Sequence, residues 1–317
     1  MLHISVWFWA AFIGFILAML ALDLGVFHRH AHEVRPREAA IWTTVWVLLA
    51  LAFAGGLTLH FGRQTGLTFL TGYVIEESLS ADNIFIIVLI FEYFRVPRNC
   101  QHRVLFYGII GALIMRGIFI ALGAALVSRF HWILYLFGAM LVVTGVRMAF
   151  RSEESFNGDD NRLVRLVRRI LPLANEFHGS SFFIVENGRR VATPLLLVLL
   201  LVELTDLLFA VDSIPATFGV TTDPFLVFTS NIFAVLGLRS LYFLLAAVVD
   251  RFHLLKYAIA VILAFVGVKM LGEPFFELGV HVSLLVVVAV LAAAIAGSVL
   301  WPQRRSSASR TSSRISK

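Results

Sequence analysis

Nine stretches of predominantly apolar residues, each long enough to cross a hydrocarbon layer about 30 Å thick, divide this chain of 317 residues. Hydrophobic residues make up 59% of the chain and charged residues 15%, a balance that excludes a soluble domain. We therefore predict an all-α fold, a polytopic bundle of about nine transmembrane helices. The predicted spans are residues 4–27, 39–61, 67–94, 104–127, 132–150, 192–214, 224–248, 254–272 and 278–300.

Arginine residues are concentrated in alternate loops between the predicted spans. If the N-terminus lies outside, the outside loops carry only Arg63 and Arg129, whereas seven arginines lie in the single inside loop 151–191. The positive-inside rule then predicts an inner-membrane protein with its N-terminus outside and its C-terminus in the cytoplasm. This orientation explains the formal net charge of +6 without a nucleic-acid partner.

The sequence indicates one membrane domain and a short tail. We assign residues 1–300 to a transmembrane transporter domain, which includes the cytoplasmic loop 151–191. Apolar residues between the arginines of segment 163–170 predict a short amphipathic helix at the membrane surface. Residues 301–317 are rich in serine and arginine and offer nothing to pack, so we predict a disordered basic tail in the cytoplasm.

One sequence pattern occurs twice at a constant offset of 122 residues. The motif Arg-Phe-His at 129–131 returns at 251–253, and Gly-Val-Arg-Met at 145–148 returns as Gly-Val-Lys-Met at 267–270. Chance similarity between apolar helices is the alternative, but Arg-Phe-His is not an apolar motif. Each copy covers three spans, the third to fifth and the sixth to eighth, so the two copies have opposite orientations. This is a 3+3 inverted repeat, typical of secondary transporters that bind their substrate near the midplane.

Six carboxylates lie in the interior of two of the apolar spans, apart from Glu92 near the cytoplasmic end of the third. A charged residue near the bilayer centre costs about 2.5 to 3.5 kcal/mol, so the six together cost roughly 15 to 20 kcal/mol. No packing role justifies this cost, which favours a cation or proton pathway. The alternative is ion pairing with Arg116 and Arg239, which lie in the fourth and seventh spans, but two arginines leave four acids uncompensated. The acids are Glu76, Glu77 and Asp82 in the third span and Glu203, Asp206 and Asp212 in the sixth.

Helical spacing predicts which of these polar residues share a face. Residues seven apart lie on one face, whereas residues six apart point away from each other. Glu76 therefore shares a face with Asn83, and Asp206 shares one with Ser213. Asp82 and Asp212 could join these residues in one cluster only if each helix rotated or unwound locally.

Pro215 offers one way to unwind the sixth span. A proline inside a helix removes an amide donor, which would free the carbonyl of Val211 beside Asp212 as an additional oxygen ligand. Every candidate group in the two acidic segments bears oxygen. Such hard donors suit Mn²⁺, Mg²⁺ and Ca²⁺ and disfavour Cu(I) and Zn²⁺.

Three long motifs show that the chain resembles the TerC family of integral membrane proteins, and within it the Alx-type manganese exporters. The motifs are Gly72-Tyr73-Val74-Ile75-Glu76 with Ser78 to Asn83, Val202 to Ala216 after Thr193-Pro194, and Thr221 to Phe225 with Thr229 to Ala234. The resemblance implies manganese efflux across a bacterial inner membrane, an association with alkaline or metal stress, and a historical tellurium-resistance label. It also implies a metal site on the six acids, with Asn83, Ser213 and Asn231 as neutral ligands.

These observations predict a transporter that takes Mn²⁺ from the cytoplasm, binds it between the two repeats and releases it outside. Ca²⁺ is the other ion considered, proton exchange is a plausible coupling, and no organic cofactor is expected. The alternative is a membrane scaffold of a metal or tellurite stress-response complex that holds a structural Ca²⁺ or Mn²⁺. An enzyme is disfavoured because no nucleophile pair, phosphate-binding loop or HExxH motif accompanies the acids. Beyond the lipid bilayer no partner is specified, and the sequence leaves open whether the chain forms a homo-oligomer.

Overall fold

The computed structural model of the chain describes residues 5–27, 36–150, 174, 176–186, 189–246, 254–275 and 278–300. In these residues nine helices follow the order of the predicted spans, which confirms the helical class of the fold. The helices are α1 (Val6–Phe27), α2 (Pro36–Phe61), α3 (Arg63–Tyr93), α4 (Arg98–Arg129), α5 (Ile133–Phe150), α6 (Pro194–Phe218), α7 (Pro224–Leu245), α8 (Leu255–Gly272) and α9 (Val280–Leu300).

Seven of the described helices, α2 and α4 to α9, are long and apolar enough to cross a membrane, where the sequence predicted nine spans. The described apolar part of α1 is the short segment Val6–Met19. Helix α3 has 31 residues, and its central part carries Glu76, Glu77 and Asp82. These charges lower its hydropathy, so length and composition alone do not mark α3 as a span.

A small β-ribbon departs from the predicted all-α class. Strands β1 (Phe183–Glu186) and β2 (Arg189–Ala192) pair antiparallel, with Phe183 opposite Ala192. The ribbon lies in the loop 151–191, directly before α6. The amphipathic helix predicted for segment 163–170 and the tail 301–317 lie outside the described residues.

The start of α7 is fixed by a local motif that the sequence displays. Asp223 precedes the helix, and its carboxylate accepts hydrogen bonds from the amides of Phe225 at 3.1 Å and Leu226 at 3.4 Å. Pro224 occupies the first helical position, where the missing amide costs nothing. The sequence Asp-Pro-Phe therefore fixes the residue at which α7 begins.

Helix α7 lies at the centre of the bundle. In its most apolar stretch 83% of the residues are buried, compared with 22% in α2, α4 and α9. Helices α2, α3 and α4 all pack against α7, and α3 and α4 also pack against α6. The polar residues of α3, α4, α6 and α7 are therefore brought towards one another.

Helices α5 and α8 pack against each other at backbone distance. A Cβ atom at Gly138 would lie 3.0 Å from the carbonyl oxygen of Gly267, and one at Gly145 would lie 2.6 Å from that of Ala260. Residues later in α5 therefore contact residues earlier in α8, so the two helices are antiparallel. Only residues without a side chain allow this approach at Gly145 and Gly267.

Candidate functional site

Arg116 on α4 is 2% exposed and joins acidic side chains of two other helices. Its Nε and Nη2 atoms donate to the two carboxylate oxygens of Asp206 on α6, at 3.1 and 2.8 Å. Its Nη1 atom donates to Glu76 on α3 at 3.0 Å and to the amide oxygen of Asn231 on α7 at 3.1 Å. Glu76, Arg116 and Asp206 lie near the middle of their helices, and Asn231 lies two turns into α7.

Three neutral side chains complete the hydrogen bonds of the two carboxylates. Glu76 accepts from the Thr217 hydroxyl at 2.8 Å and from the Asn231 amide at 2.6 Å. Asp206 accepts from the Asn83 amide at 3.2 Å. Glu76 is 0% exposed and Asp206 8%, so both are shielded by the protein itself. We name this group the central cluster, and its members are Glu76, Asn83, Arg116, Asp206, Thr217 and Asn231.

The contacts of the central cluster fix the relative direction of α3 and α6. Thr217, late in α6, bonds Glu76, and Asn83, later in α3, bonds Asp206. A Cβ atom at Gly72 would lie 3.3 Å from the Thr217 methyl group. Because residues later in α3 contact residues earlier in α6, the two acidic helices run antiparallel.

Glu203 lies one helical turn before Asp206 on α6 and packs against α4. Its carboxylate occupies the space where a Cβ atom of Gly111 would stand, so the two groups touch. Its Oε2 atom is buried and has no hydrogen-bond partner within the described part of the chain. The negative charge of Asp206 acts on Glu203, and burial adds to the cost of a charge at this position.

Of the six buried side-chain oxygens without a hydrogen bond in the described residues, four belong to predicted site residues. In the described residues these include Glu77 Oε2, Asn83 Oδ1 and Ser213 Oγ, in addition to Glu203 Oε2. Tyr73, one turn before Glu77 on α3, lies within hydrogen-bonding reach of that carboxylate. Buried polar atoms are nearly always bonded in native proteins, so four such oxygens indicate room for a ligand, an ion or a water molecule.

Asp82 and Asp212 lie outside the central cluster, and each is half-buried. Asp212 on α6 accepts a hydrogen bond from the Thr144 hydroxyl of α5 at 3.0 Å. The positive charge of Lys256 on α8 acts on Asp82 of α3. Asp82 and Asp212 are therefore associated with the α5 and α8 pair.

Neither acidic helix unwinds in this structure. Helix α6 continues through Pro215 to Phe218, and α3 is helical from Arg63 to Tyr93. The unwinding that Pro215 could have allowed beside Asp212 is therefore absent from α6.

The structure brings Glu76 and Asp206 together, with Glu77 directly after the first and Glu203 one turn before the second. The six acids do not form a single coordination shell. Across the described ranges, no three His, Cys, Asp or Glu side chains are grouped closely enough to hold a metal ion. Arg239, the other predicted ion-pair partner, is buried on α7 two turns beyond Asn231. The cation partner that bonds both Glu76 and Asp206 is Arg116.

A small cavity adjoins the central cluster. Its volume is about 20 Å³, which is enough for one water molecule. Asn83, Thr205 and Asp206 provide its polar wall, and the side chains around the rest are apolar residues of α3, α4, α6 and α7. Gly108 and Ala112 of α4 line it as well.

Three hydroxyl residues of the site were missed by sequence reasoning. Thr217 lies one turn after Ser213 on the same face of α6, a spacing that could have identified it. Tyr73 precedes Glu77 by one turn and could have been found in the same way. Thr144 carries no such signal, because its contact with Asp212 comes from another helix.

Comparison with known proteins places these helices in one family. Residues 61–307 match the family described as "Integral membrane protein TerC family". An uncharacterized membrane protein of Myxococcus xanthus, STKORF319, is 53% identical over 292 residues, which cover 92% of each chain. A protein of Escherichia coli strain K12 named "Putative membrane-bound redox modulator Alx" is 48% identical over 292 residues, 89% of this chain and 91% of the relative.

A more distant relative extends the same similarity. An uncharacterized membrane protein of Rickettsia bellii is 37% identical over 292 residues, 92% of this chain and 97% of the relative. No solved structure matches the chain. The matched segment contains every residue of the central cluster, and the chain belongs to the TerC family of integral membrane proteins.

Proposed function

We propose that this chain exports divalent metal cations, Mn²⁺ foremost, through the central cluster. The observation that carries the proposal is the charge of that cluster. Two buried carboxylates share one guanidinium among four helices, and four buried oxygens of the neighbouring site residues have no partner in the described chain. A cation is the group that such a set of acceptors lacks.

The electrostatic balance favours a positive ligand. Glu76 and Asp206 with Arg116 carry a net negative charge when ionised, and Glu77 follows Glu76 directly while Glu203 lies one turn before Asp206. Charges near the bilayer centre are costly, by a few kcal/mol for each residue, unless they are paired or exposed to water. When all four carboxylates are ionised, a divalent cation would compensate two of the three negative charges that Arg116 leaves on them.

The donor chemistry favours a hard ion. The central cluster and its neighbours offer carboxylate, amide and hydroxyl oxygens, which suit Mn²⁺, Mg²⁺ and Ca²⁺. The single cysteine of the chain, Cys100, lies near the start of α4, where its thiol donates to the Gly179 carbonyl at 3.3 Å. Choosing Mn²⁺ over Ca²⁺ rests on the resemblance to the Alx-type exporters.

Helix packing supports two inverted repeats, α3 to α5 and α6 to α8. With the sequence offset of 122 residues, Gly138 corresponds to Ala260 and Gly145 to Gly267. Exchanging the two repeats turns the contact between Gly138 and Gly267 into a contact between Ala260 and Gly145. Both of these contacts are present. The antiparallel course of α3 and α6 agrees with the same relation. Movement of one repeat against the other would expose the central cluster to each side in turn.

The orientation that we propose has the N-terminus outside and the C-terminus in the cytoplasm. The arginine-rich loops then face the cytoplasm, as the positive-inside rule requires. A reporter fused to the C-terminus is expected to be cytoplasmic. In this orientation the loop 151–191 lies in the cytoplasm, the compartment from which the metal ion would be exported.

The name of the Escherichia coli relative suggests a redox role, and a stress-response scaffold is the other alternative. One buried cysteine cannot form a disulfide within the chain, so a direct thiol redox cycle would need a partner. A scaffold would hold a metal ion without moving it. Metal export measured in cells therefore separates the transporter from both alternatives.

Mn²⁺ content of cells that lack their own manganese exporters tests the proposal. Expression of the wild-type chain is expected to lower cellular manganese severalfold, whereas Asp206→Asn and Asp212→Asn leave it at the level of the empty vector. Both changes remove a carboxylate while keeping the side-chain size. Cellular manganese is measured by mass spectrometry and the amount of protein in the membrane by immunoblot.

Glu186→Gln is the matched control, because Glu186 lies exposed on β1 and its replacement also removes one carboxylate. This variant is expected to export like the wild type. Wild-type export by both aspartate variants, at equal membrane levels, would refute the proposal.

A further inference from the structure

Arg116 occupies most of the hydrogen-bonding capacity of two carboxylates. A carboxylate offers about four acceptor positions. Asp206 accepts three bonds, two of them from Arg116, and Glu76 accepts three, one of them from Arg116. The position left on each carboxylate belongs to an oxygen that already accepts from the guanidinium. A metal ion bound there would lie directly beside Arg116.

Charge makes that arrangement unfavourable. The pair of carboxylates with Arg116 carries one net negative charge when both are ionised. A divalent cation added beside the guanidinium would leave one net positive charge at the bilayer centre, and the two cations would repel each other at low dielectric. With the guanidinium withdrawn, the two carboxylates and the divalent cation are neutral together.

A cavity that holds one water molecule lies on the side towards which Arg116 can withdraw, so the guanidinium would enter it by displacing that water and shifting the neighbouring side chains. Helical side chains lean towards the N-terminus of their helix, over residues about four positions earlier. Ala112 and Gly108 precede Arg116 by four and eight residues, and both line the cavity of about 20 Å³. Asp206 lines the same cavity, so the guanidinium and the void meet at one carboxylate.

We infer that Arg116 is a tethered counter-cation, which occupies the carboxylates of Glu76 and Asp206 when no metal is bound and is displaced when a divalent cation binds. This inference rests on the proposed function and assigns a role within it. The competition keeps the affinity for the metal moderate, and the returning guanidinium helps to release the ion. Arg116 is thus a positioning residue that sets how tightly the carboxylates hold their cargo.

The test compares wild-type protein with Arg116→Gln, each purified at full length, with MnCl₂ as the probe. Isothermal titration calorimetry is expected to give a Kd for Mn²⁺ at least tenfold lower in Arg116→Gln, because the competing charge is absent. Mn²⁺ flux in proteoliposomes is expected to fall at the same time, because release loses its competitor. A merely structural ion pair would not produce tighter binding together with slower transport.

Arg103→Gln is the matched control on the same helix. The Arg103 guanidinium donates to the Ser180 hydroxyl at 2.9 Å, outside the central cluster. Its removal is expected to leave both the Kd and the flux unchanged. A folded Arg116→Gln protein that binds Mn²⁺ no more tightly than the wild type would overturn the inference.

Arg116→Lys covers the case in which the glutamine variant fails to fold. A single ammonium keeps the charge but cannot reproduce the paired bonds to Asp206, so the Kd is expected to fall by a smaller factor. An unchanged or higher Kd in the folded lysine variant would equally overturn the inference. Absence of Mn²⁺ binding and flux in the wild type would refute the proposed function itself, whereas normal wild-type flux without tighter binding in either variant refutes only the role of Arg116.

Discussion

Glu203 keeps its position because the facing helix has no side chain at residue 111. A Cβ atom at Gly111 would overlap the Glu203 carboxylate. The group in the way is the far end of a flexible side chain, so an added methyl group would move the carboxylate and leave the helix backbone in place. The position of this acid therefore depends on a glycine of another helix.

Gly111→Ala is expected to reduce Mn²⁺ export about as much as Glu203→Gln, because both changes remove the carboxylate from its present position. Thermal stability in detergent is expected to change little. Gly117→Ala is the control on the same helix, since its Cβ atom would make an ordinary contact of 3.5 Å with Phe228. Full export by Gly111→Ala, or additive losses in the Gly111→Ala and Glu203→Gln double variant, would contradict this account.

At the scale of single residues, the sequence predicted the charged residues of the site better than it predicted their hydrogen-bond partners. An acid in an apolar span is visible without a structure, because its cost depends only on its depth. The bond from Thr217 to Glu76 and the bond from Thr144 to Asp212 depend on which helices touch. No spacing rule within one helix predicts contacts of that kind.

Among the elements, α5 and α8 form the tightest contact that the described residues show between two helices. The would-be Cβ atom of Gly267 lies 2.6 Å from the Gly138 carbonyl oxygen and 2.9 Å from the amide nitrogen of Val142. That of Gly145 lies 2.6 Å from the Ala260 carbonyl oxygen. Backbone atoms cannot move aside as a flexible side chain can, so these glycines are required for the close packing of α5 against α8.

Gly267→Ala is expected to lower the free energy of unfolding by about 1 to 3 kcal/mol, because the added methyl group overpacks the contact. Gly145→Ala at the corresponding position is expected to have a similar effect. Gly56→Ala on α2 is the control, since nothing lies within 4 Å of its Cβ position. Thermal or denaturant unfolding in detergent measures the difference, and equal stabilities of Gly267→Ala and Gly56→Ala would disprove the close packing.

Hydropathy predicted the existence and order of the helices but not their finer features. The predicted fourth span begins at 104, whereas α4 begins at Arg98, because a helix can continue into the polar interface. The unwinding that Pro215 could have allowed does not occur, since α6 remains helical to Phe218. The ribbon of β1 and β2 was missed, although the sequence places Asn-Gly between the two strands, the dipeptide typical of two-residue hairpin turns.

The whole molecule is a helical membrane protein whose buried polar groups converge on α3, α4, α6 and α7. The internal repeat of the sequence predicted that the third and sixth spans would meet, and the bonds of Arg116 bring Glu76 and Asp206 of those helices together. The enclosed position of α7 was not predicted, although its mean hydropathy is the lowest of the seven helices that are long and apolar enough to cross a membrane. Asn231 on this helix was supplied by the resemblance alone.

The most direct measurement of the central claim is Mn²⁺ flux into liposomes that contain the purified full-length protein and a fluorophore quenched by Mn²⁺. We expect flux above that of protein-free liposomes, retained in Glu186→Gln and lost in Glu76→Gln, because Glu76 is a carboxylate of the central cluster that the protein shields completely. Wild-type flux no greater than that of empty liposomes, or undiminished flux in Glu76→Gln, would contradict the account.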